Sequence, residues 1–496
     1  MSFEHQDVVV IGAGIAGISA AHHLANSQTP RDFVVLDALD GPGGTWRTHR
    51  FPGVRSDTEV FTLGYRFKPW TGDPYASGPE ILAYLEEVID EEDLGRFFRY
   101  GVRLLSASWS TGEQQWTLTL ETLHNGSSSQ STMTCGFLWM CHGYYRHDEP
   151  HQPAWPGREQ FLGRWIHPQQ WPDSPDLDGQ RVLVIGSGAT AATLVPAIAE
   201  QCAHVTLLQR SPSYYFQSPN IDELANQLRT LDTPKEWIHQ IVRTKAVNEM
   251  QSITATAKNF PGPMKDGLIG MVAAQLPEGY DVATHFTPRY GPADQRICRI
   301  LNGDLFTAIS NGSVTMVTDQ IETFTPEGLR TVSGADIAAD VVITATGFDL
   351  SIFGEAAFFV DGVEVDFSST VTYRGVLFSD IPNLAWTFGA LRLSWTMRVE
   401  LVGDFVCRLL DELDTQRASS VIPTLGSDHD MTELRPFVDP EEFSPGYLVR
   451  SSHRVPRSSQ QEPWRYDIDF WSEKDRLPAV SLNDEYLNYV SSQAAE

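Results

Sequence analysis

At 496 residues the chain exceeds the length at which one hydrophobic core stops growing, so two or three domains are expected. Hydrophobic residues make up 41% and charged residues 20%, the balance of a globular protein and not of a disordered or fibrous one. A formal net charge of -28 repels nucleic acid and anionic lipid alike, which excludes both as expected partners. The cysteines, Cys135, Cys141, Cys202, Cys298 and Cys407, are scattered, with no C-x-x-C pair and no metal-ligand spacing. No metal is expected, and a reducing compartment fits, so the expected location is cytoplasmic. The N-terminus reaches an apolar strand by Asp7, which leaves no room for a signal peptide, and no apolar run is long enough for a transmembrane segment.

The first motif is DVVVIGAGIAGISAAHHL, residues 7–24: an apolar strand, then Gly12, Gly14 and Gly17 in G-x-G-x-x-G order, then helix formers. This pattern lets a dinucleotide's pyrophosphate rest on a helix N-terminus, whose free N–H groups favour an anion. A second strand, residues 33–36, ends at Asp37, the position of a carboxylate that bonds a ribose hydroxyl. Residues 41–58, GPGGTWRTHRFPGVRSDT, read as a Gly- and Arg-rich loop pressed against a ligand. Residues 79–89 have helical apolar spacing; strands are expected over 102–109 and 115–123, and a closing strand ends at Gly143.

Residues 161–173, FLGRWIHPQQWPD, have neither helical nor strand periodicity and read as an ordered linker, stiffened by its prolines, between two nucleotide-binding units. The pattern then repeats. RVLVIGSGATAATLVPAIA, residues 181–199, carries G-x-G-x-x-A at Gly186, Gly188 and Ala191. Its second strand, residues 204–209, ends in Arg210-Ser211 where an acid would repel a 2'-phosphate and a guanidinium grips one, so this unit prefers NADPH to NADH. Residues 215–285 read as a helical insertion. Strands return at 313–318 and 328–331, and VVITATG closes the unit at Gly347. Residues 383–410 suggest an apolar segment ending at Gly389, a cap at Ser394 and a helix with Val399, Val402, Val406 and Leu409 on one side. The last fifty residues read only as peripheral wrapping.

The expected fold is therefore α/β, with two Rossmann-like dinucleotide-binding domains. Residues 1–148 form the first segment of one, 149–346 the second with a helical insertion over about 215–300, and 347–496 return to the first. Two nucleotide units of different polarity imply a flavoprotein taking hydride from NADPH, and the lack of a redox cysteine pair removes the disulfide reductases.

On Phe161, Gly163, His167, Trp171 and Pro172 the linker resembles the fingerprint F-x-G-x-x-x-H-x-x-x-W-P/D of the type I Baeyer-Villiger flavin monooxygenases. The runs GGTW, FPGVRSD, TLGYRF, GSGATA, LQRSP, LPEGYDV, HFTPRYGPADQRIC, ITATGFD and SPGY are similar to one mycobacterial subgroup of that family. The resemblance implies FAD on Gly12, Gly14, Ala16, Gly17, Asp37, Thr45, Trp46 and Asp57. It implies NADPH on Arg55, Ser56, Gly186, Ser187, Gly188, Ala189, Thr190, Ala191, Arg210 and Ser211, with further cofactor contacts from Gly44, Arg47, Leu104 and Trp395. It implies Arg296 as the catalytic arginine, Asp57 as the carboxylate orienting it, and His167 at a hinge.

The implied activity is oxidation of a small hydrophobic ketone by NADPH and O2 through a flavin C4a-peroxide held as an anion beside Arg296, with sulfide oxygenation as a second reaction. Three places depart from the family. Asp37 replaces a common Glu, Gln295 a common Lys, and Ala390-Leu391-Arg392-Leu393 a more polar segment. Two alternatives stay open: an N- or S-oxygenating flavin monooxygenase, and a non-catalytic flavin- and NADPH-binding redox module.

Overall fold

The computed structural model describes residues 4–124, 127–426 and 434–491. The chain enters on β1 (Glu4–Ile11), turns through glycines into the helix Ile15–Ala25, and returns on β2 (Phe33–Asp37). Val8, Val9 and Val10 are fully buried, because a parallel strand covered on both faces needs a continuous apolar run and not an alternating one. After the helix Gly78–Glu91, opened by a Ser77–Glu80 capping box, come β3 (Phe98–Tyr100), β4 (Val102–Ser110), β5 (Gln115–His124) and β6 (Ser127–Met140).

Strand β6 belongs to two layers. Its first half pairs antiparallel with β5, which pairs with β4; its second half runs parallel to β1, with Val8 opposite Phe137 and Ile11 opposite Met140. The parallel layer is ordered β3-β2-β1-β6, and a strand from far down the chain, Leu384–Trp386, closes it beside β6.

The second unit repeats this plan. Its strands are β7 (Arg164–Ile166), β8 (Arg181–Ile185), β9 (His204–Gln209), β10 (Tyr215–Ser218), β11 (Cys298–Leu301), β12 (Val314–Thr318), a meander β13 (Ile321–Thr325), β14 (Gly328–Thr331) and β15 (Asp336–Ala338), and β16 (Val341–Thr344). Five of them form a fully parallel sheet in the order β12-β9-β8-β16-β7.

The structure differs from the sequence reading in four places. The linker contains β7, whose Arg164–Ile166 pairs with Val341–Ile343 at the sheet edge; three residues are too few to show a period. The insertion is helical over Glu223–Thr230, Lys235–Asn259 and Pro261–Ala273, but its two ends are strands, β10 and β11, paired parallel to each other. Ser394 caps no helix: the helix Thr396–Gln416 starts without a side-chain cap, and the Ser394 hydroxyl lies 2.5 Å from that of Thr62. The C-terminal stretch is part of the core, with Trp464 fully buried and Phe437, Tyr466 and Phe470 nearly so. Weak periodicity hid this because single aromatics, not a helical stripe, do the burying.

The helical insertion is anchored on the first unit. His239 Nδ1 accepts from the Trp70 N–H at 3.1 Å. Arg243 donates to the carbonyls of Phe61 (2.9 Å) and Gly64 (2.6 Å) and pairs with Glu400 at 2.6 Å. No described helix is long and apolar enough to cross a membrane.

Candidate active site

Both glycine turns open onto one continuous cavity of about 1180 Å³. That is larger than the roughly 300–1,000 Å³ of a typical small-molecule site. From the first unit it is lined by Gly12, Gly14, Ala16 and Asp37, by Gly44, Thr45 and Trp46 in the loop after β2, and by Ser56, Asp57 and Leu104. The second unit contributes Gly186, Ser187, Gly188, Ala189 and Thr190, with Arg210 and Ser211 at the end of β9; Arg296 and Trp395 complete the set.

The local backbone fits a dinucleotide at each turn. Gly12 has φ +108°, and a Cβ there would stand 2.6 Å from the Cys141 carbonyl oxygen. A Cβ on Gly17 would stand 1.7 Å from the Gly12 carbonyl oxygen, so helix and turn meet only because it is absent. The helices Ile15–Ala25 and Ala189–Ile198 both start on a glycine with no side-chain cap, which leaves their first N–H groups for a ligand's phosphates. Both oxygens of Asp37 accept backbone hydrogen bonds, from Ala13 N at 2.5 Å and Leu39 N at 2.7 Å. Burial raises the Asp37 pKa above the usual carboxylate value, and these two bonds oppose the rise.

Several expected residues lie off the cavity wall. Gly17 and Ala191 pack inside their units. Arg47 folds over Gly41 to meet Asp40 at 2.8 Å, and Arg55 turns to Asp304 at 2.7 Å; each cation is taken by a nearer carboxylate. The fingerprint runs along the β7 edge of the second sheet. Phe161 joins a ring cluster with Trp165 and Phe324, and a Cβ on Gly163 would stand 2.4 Å from the Asp340 carbonyl oxygen. Trp171 packs on the second unit's core, while His167 and Pro172 line a separate recess of about 200 Å³. The His167 Nδ1 accepts from Gln169 N at 3.2 Å.

Arg296 faces Asp57 at 3.5 Å, and both side chains are about one-third exposed. Burial works against the guanidinium's charge, but the Asp57 carboxylate together with Tyr447, Tyr144 and Tyr145 outweighs it and raises the pKa above the usual arginine value. Around this pair stand rings to which the sequence reading gave no role. Tyr144 and Tyr145 follow β6, Phe348 follows β16, and Tyr447 comes from the short helix Gly446–Ser451. Tyr144 stacks on Trp395 with ring centres 4.7 Å apart and donates to the Tyr145 hydroxyl at 2.7 Å. The positions after β6 and β16 were open to discovery, since ligands of such sheets bind beyond the carboxyl ends of the strands. Tyr447 ends the run SPGY, which carried the family resemblance but pointed to no role.

Buried histidines form a second feature. His142 and His147 line the cavity, and His49 lies behind them with its ring 5.7 Å from that of His147. Burial lowers the pKa of His142 and His147 to about 4 and that of His49 to about 3, with the charges of His147 and His167 adding to the last. All are neutral at pH 7.

Comparison with known proteins agrees with this architecture. Residues 10–77 match the NAD(P)-binding Rossmann-like domain, and residues 73–252 match the flavin-binding monooxygenase-like family. The chain is 42% identical over 494 residues to the FAD-containing monooxygenase EthA of Mycobacterium tuberculosis, covering 99% of both proteins. It is 36% identical over 488 residues to a probable FAD-binding monooxygenase, AlmA, of Acinetobacter baylyi, covering 98% of this chain and 96% of that one. Among solved structures, an oxidized steroid monooxygenase bound to NADP superposes with a TM-score of 0.77 at 22% identity, covering 98% of this chain and all of that one. A cyclohexanone monooxygenase from Rhodococcus sp. Phi1 bound to NADP+ gives 0.75 at 22% identity, covering 99% and 100%. These two show a shared fold, and the close relatives, matched end to end, show that the chain belongs to the flavin-binding monooxygenase-like family.

Proposed function

We propose that this monooxygenase carries out Baeyer-Villiger oxidation, inserting one atom of O2 beside the carbonyl of a small hydrophobic ketone to give an ester or lactone, and that it also oxygenates sulfides. FAD and NADPH are its cofactors. The observation that carries the reading is Arg296: a permanent cation, held against Asp57, on the wall of the cavity onto which both dinucleotide turns open. Two proteins of the same fold are named for steroid and cyclohexanone oxygenation, which favours ketones over amines.

FAD, reduced by NADPH, supplies the oxygen activation. The chain supplies the rest. The turn at Gly12 and Gly14 and the first N–H groups of the helix Ile15–Ala25 would hold the FAD diphosphate, and Asp37 would bond its ribose. The corresponding turn at Gly186 and Gly188 would hold NADPH, and Arg210 would grip its 2'-phosphate. Arg296 stabilises negative charge as it develops on oxygen, and Asp57 fixes the guanidinium's direction. The rings of Tyr144, Trp395 and Phe348 exclude water from that corner.

The test is product analysis by mass spectrometry with NADPH over linear, cyclic and aryl ketones and one sulfide. Esters or lactones are expected. Sulfoxide without any ester would leave an S-oxygenase and end the Baeyer-Villiger reading.

A further inference from the structure

The corner around Arg296 holds more donors than acceptors. Arg296 has five N–H groups, and its one ion pair among the described residues is Asp57. The Tyr145 hydroxyl accepts from Tyr144, and no acceptor for its own proton is found among the described residues. The Tyr447 hydroxyl is fully buried and has no hydrogen-bond partner among the described residues. Its ring lies 6.0 Å from the rings of both Tyr144 and Tyr145, and Tyr447 lines the same cavity as Arg296.

A buried phenol without a partner is destabilising, so such a group is retained where something else supplies the acceptor. The chain also takes trouble to bring Tyr447 here. Ser444 N donates to the Asp294 carbonyl at 2.8 Å, two residues before Arg296, and Arg392 donates to the Glu442 carbonyl, three residues before Trp395. The segment carrying Tyr447 is thus tied both to the arginine loop and to the loop bearing Trp395.

We propose that Tyr447 is a substrate-binding residue, whose phenol donates a hydrogen bond to the carbonyl oxygen of the molecule being oxygenated, beside Arg296. This rests on the ketone reading above. A carbonyl oxygen suits the corner because it brings two lone pairs and no proton of its own, whereas an amine would bring further donors to a site already rich in them. Two phenol protons and a guanidinium then converge on the atom that becomes negative as the carbonyl carbon is attacked, and a phenol, unlike a second cation, adds no charge repulsion with Arg296. A sulfide lacks that oxygen, so Tyr447 discriminates between the two substrate classes.

The probe is an aryl ketone labelled with 13C at its carbonyl, bound to oxidised enzyme loaded with FAD and NADP+, read by infrared difference spectroscopy. A parallel sample carries the label on the NADP+ carboxamide, the other carbonyl that could reach this corner. Tyr447→Phe removes only an oxygen without a partner, so its Tm is expected to match or exceed that of wild type. The ketone band is expected to lie low in wild type and to move up in Tyr447→Phe, with the carboxamide band fixed. The ratio of ester to sulfoxide product is expected to fall at least about tenfold, the size of one lost hydrogen bond. An unmoved ketone band, or a carboxamide band that moves in its place, overturns the proposal. If wild type makes no ester, the ketone reading falls, and the infrared comparison, which needs no turnover, still decides on Tyr447.

Discussion

Arg296 and Asp57 meet at 3.5 Å, the guanidinium from the second nucleotide unit and the carboxylate from the glycine-rich loop of the first. Neither unit alone contains the pair, so the chemistry assigned to this corner requires both units to be docked.

Replacing Arg296 by Ala should leave reduction of the flavin by NADPH largely intact while product formation falls by about 100- to 1,000-fold, the usual cost of losing one donor to a developing oxyanion. Stopped-flow absorbance follows the first step and mass spectrometry the second. Lys at this position should recover only part of the loss, because an ammonium is not the planar fork that Asp57 faces. Wild-type product yield in Arg296→Ala would remove the residue from its role.

Arg210 lines the cavity at the end of β9, where an acid in the first unit, Asp37, ends β2. Arg210→Ala should raise the KM for NADPH by about ten- to a hundredfold while changing that for NADH less than about threefold, since only the 2'-phosphate is gripped by the guanidinium. Equal changes for the two cofactors would show that Arg210 does not read the phosphate.

The buried histidines make acid stability a test of the packing behind the cavity. His49, His142, His147 and His167 have folded-state pKa values of about 3 to 4, below the ordinary value near 6.5, chiefly because burial penalises their charged forms. Between those values the unfolded chain binds more protons than the folded one, so stability rises with pH there and is lost as pH falls from about 6.5 toward 4. Each such histidine contributes up to about 1.4 kcal/mol per pH unit in that window. Tm measured from pH 7.5 to 5 should therefore decline, and His49→Phe, with its ring among Phe51, His147 and Phe348, should flatten the decline. A slope identical to wild type would show that His49 is not held neutral by the fold.

The Arg243–Glu400 pair docks the helical insertion. Both side chains are nearly buried, and burial pulls the Arg243 pKa below its usual value while Glu400 opposes the fall. Arg243→Met leaves the Glu400 carboxylate without its cation, held only by the Arg66 N–H, and strips the carbonyls of Phe61 and Gly64 of their donor, at a cost of about 3–5 kcal/mol. Chymotrypsin should then cut faster at Trp237 and Phe260 in the insertion. Pairing it with Glu400→Leu should recover part of the loss in Tm, because an uncompensated buried charge is removed. No recovery would mean that the bonds to the two carbonyls, not the ion pair, fix the helix.

Much of the first unit was legible because its signals are local. The apolar run Val8 to Ile11, the spacing of Gly12, Gly14 and Gly17, and the acid at Asp37 each constrain the backbone within a few residues, and the strands fall where the pattern put them. The same holds for the second turn at Gly186 and for Arg210. Arg47 and Arg55 illustrate the limit: the resemblance put both on a cofactor, and in the fold their guanidiniums pair with Asp40 and with Asp304, which is far away in sequence.

By itself the sequence determined two glycine turns of the dinucleotide-binding kind and the family, and it put forward Arg296 as the candidate cation, since each depends on residue type at fixed short spacing. Only the tertiary structure decided that β7 completes the second sheet, that Leu384–Trp386 completes the first, and that Tyr447 stands with Tyr144, Tyr145 and Arg296 in one cavity. Contacts between segments hundreds of residues apart leave no period in the chain; they arise when buried surfaces find each other.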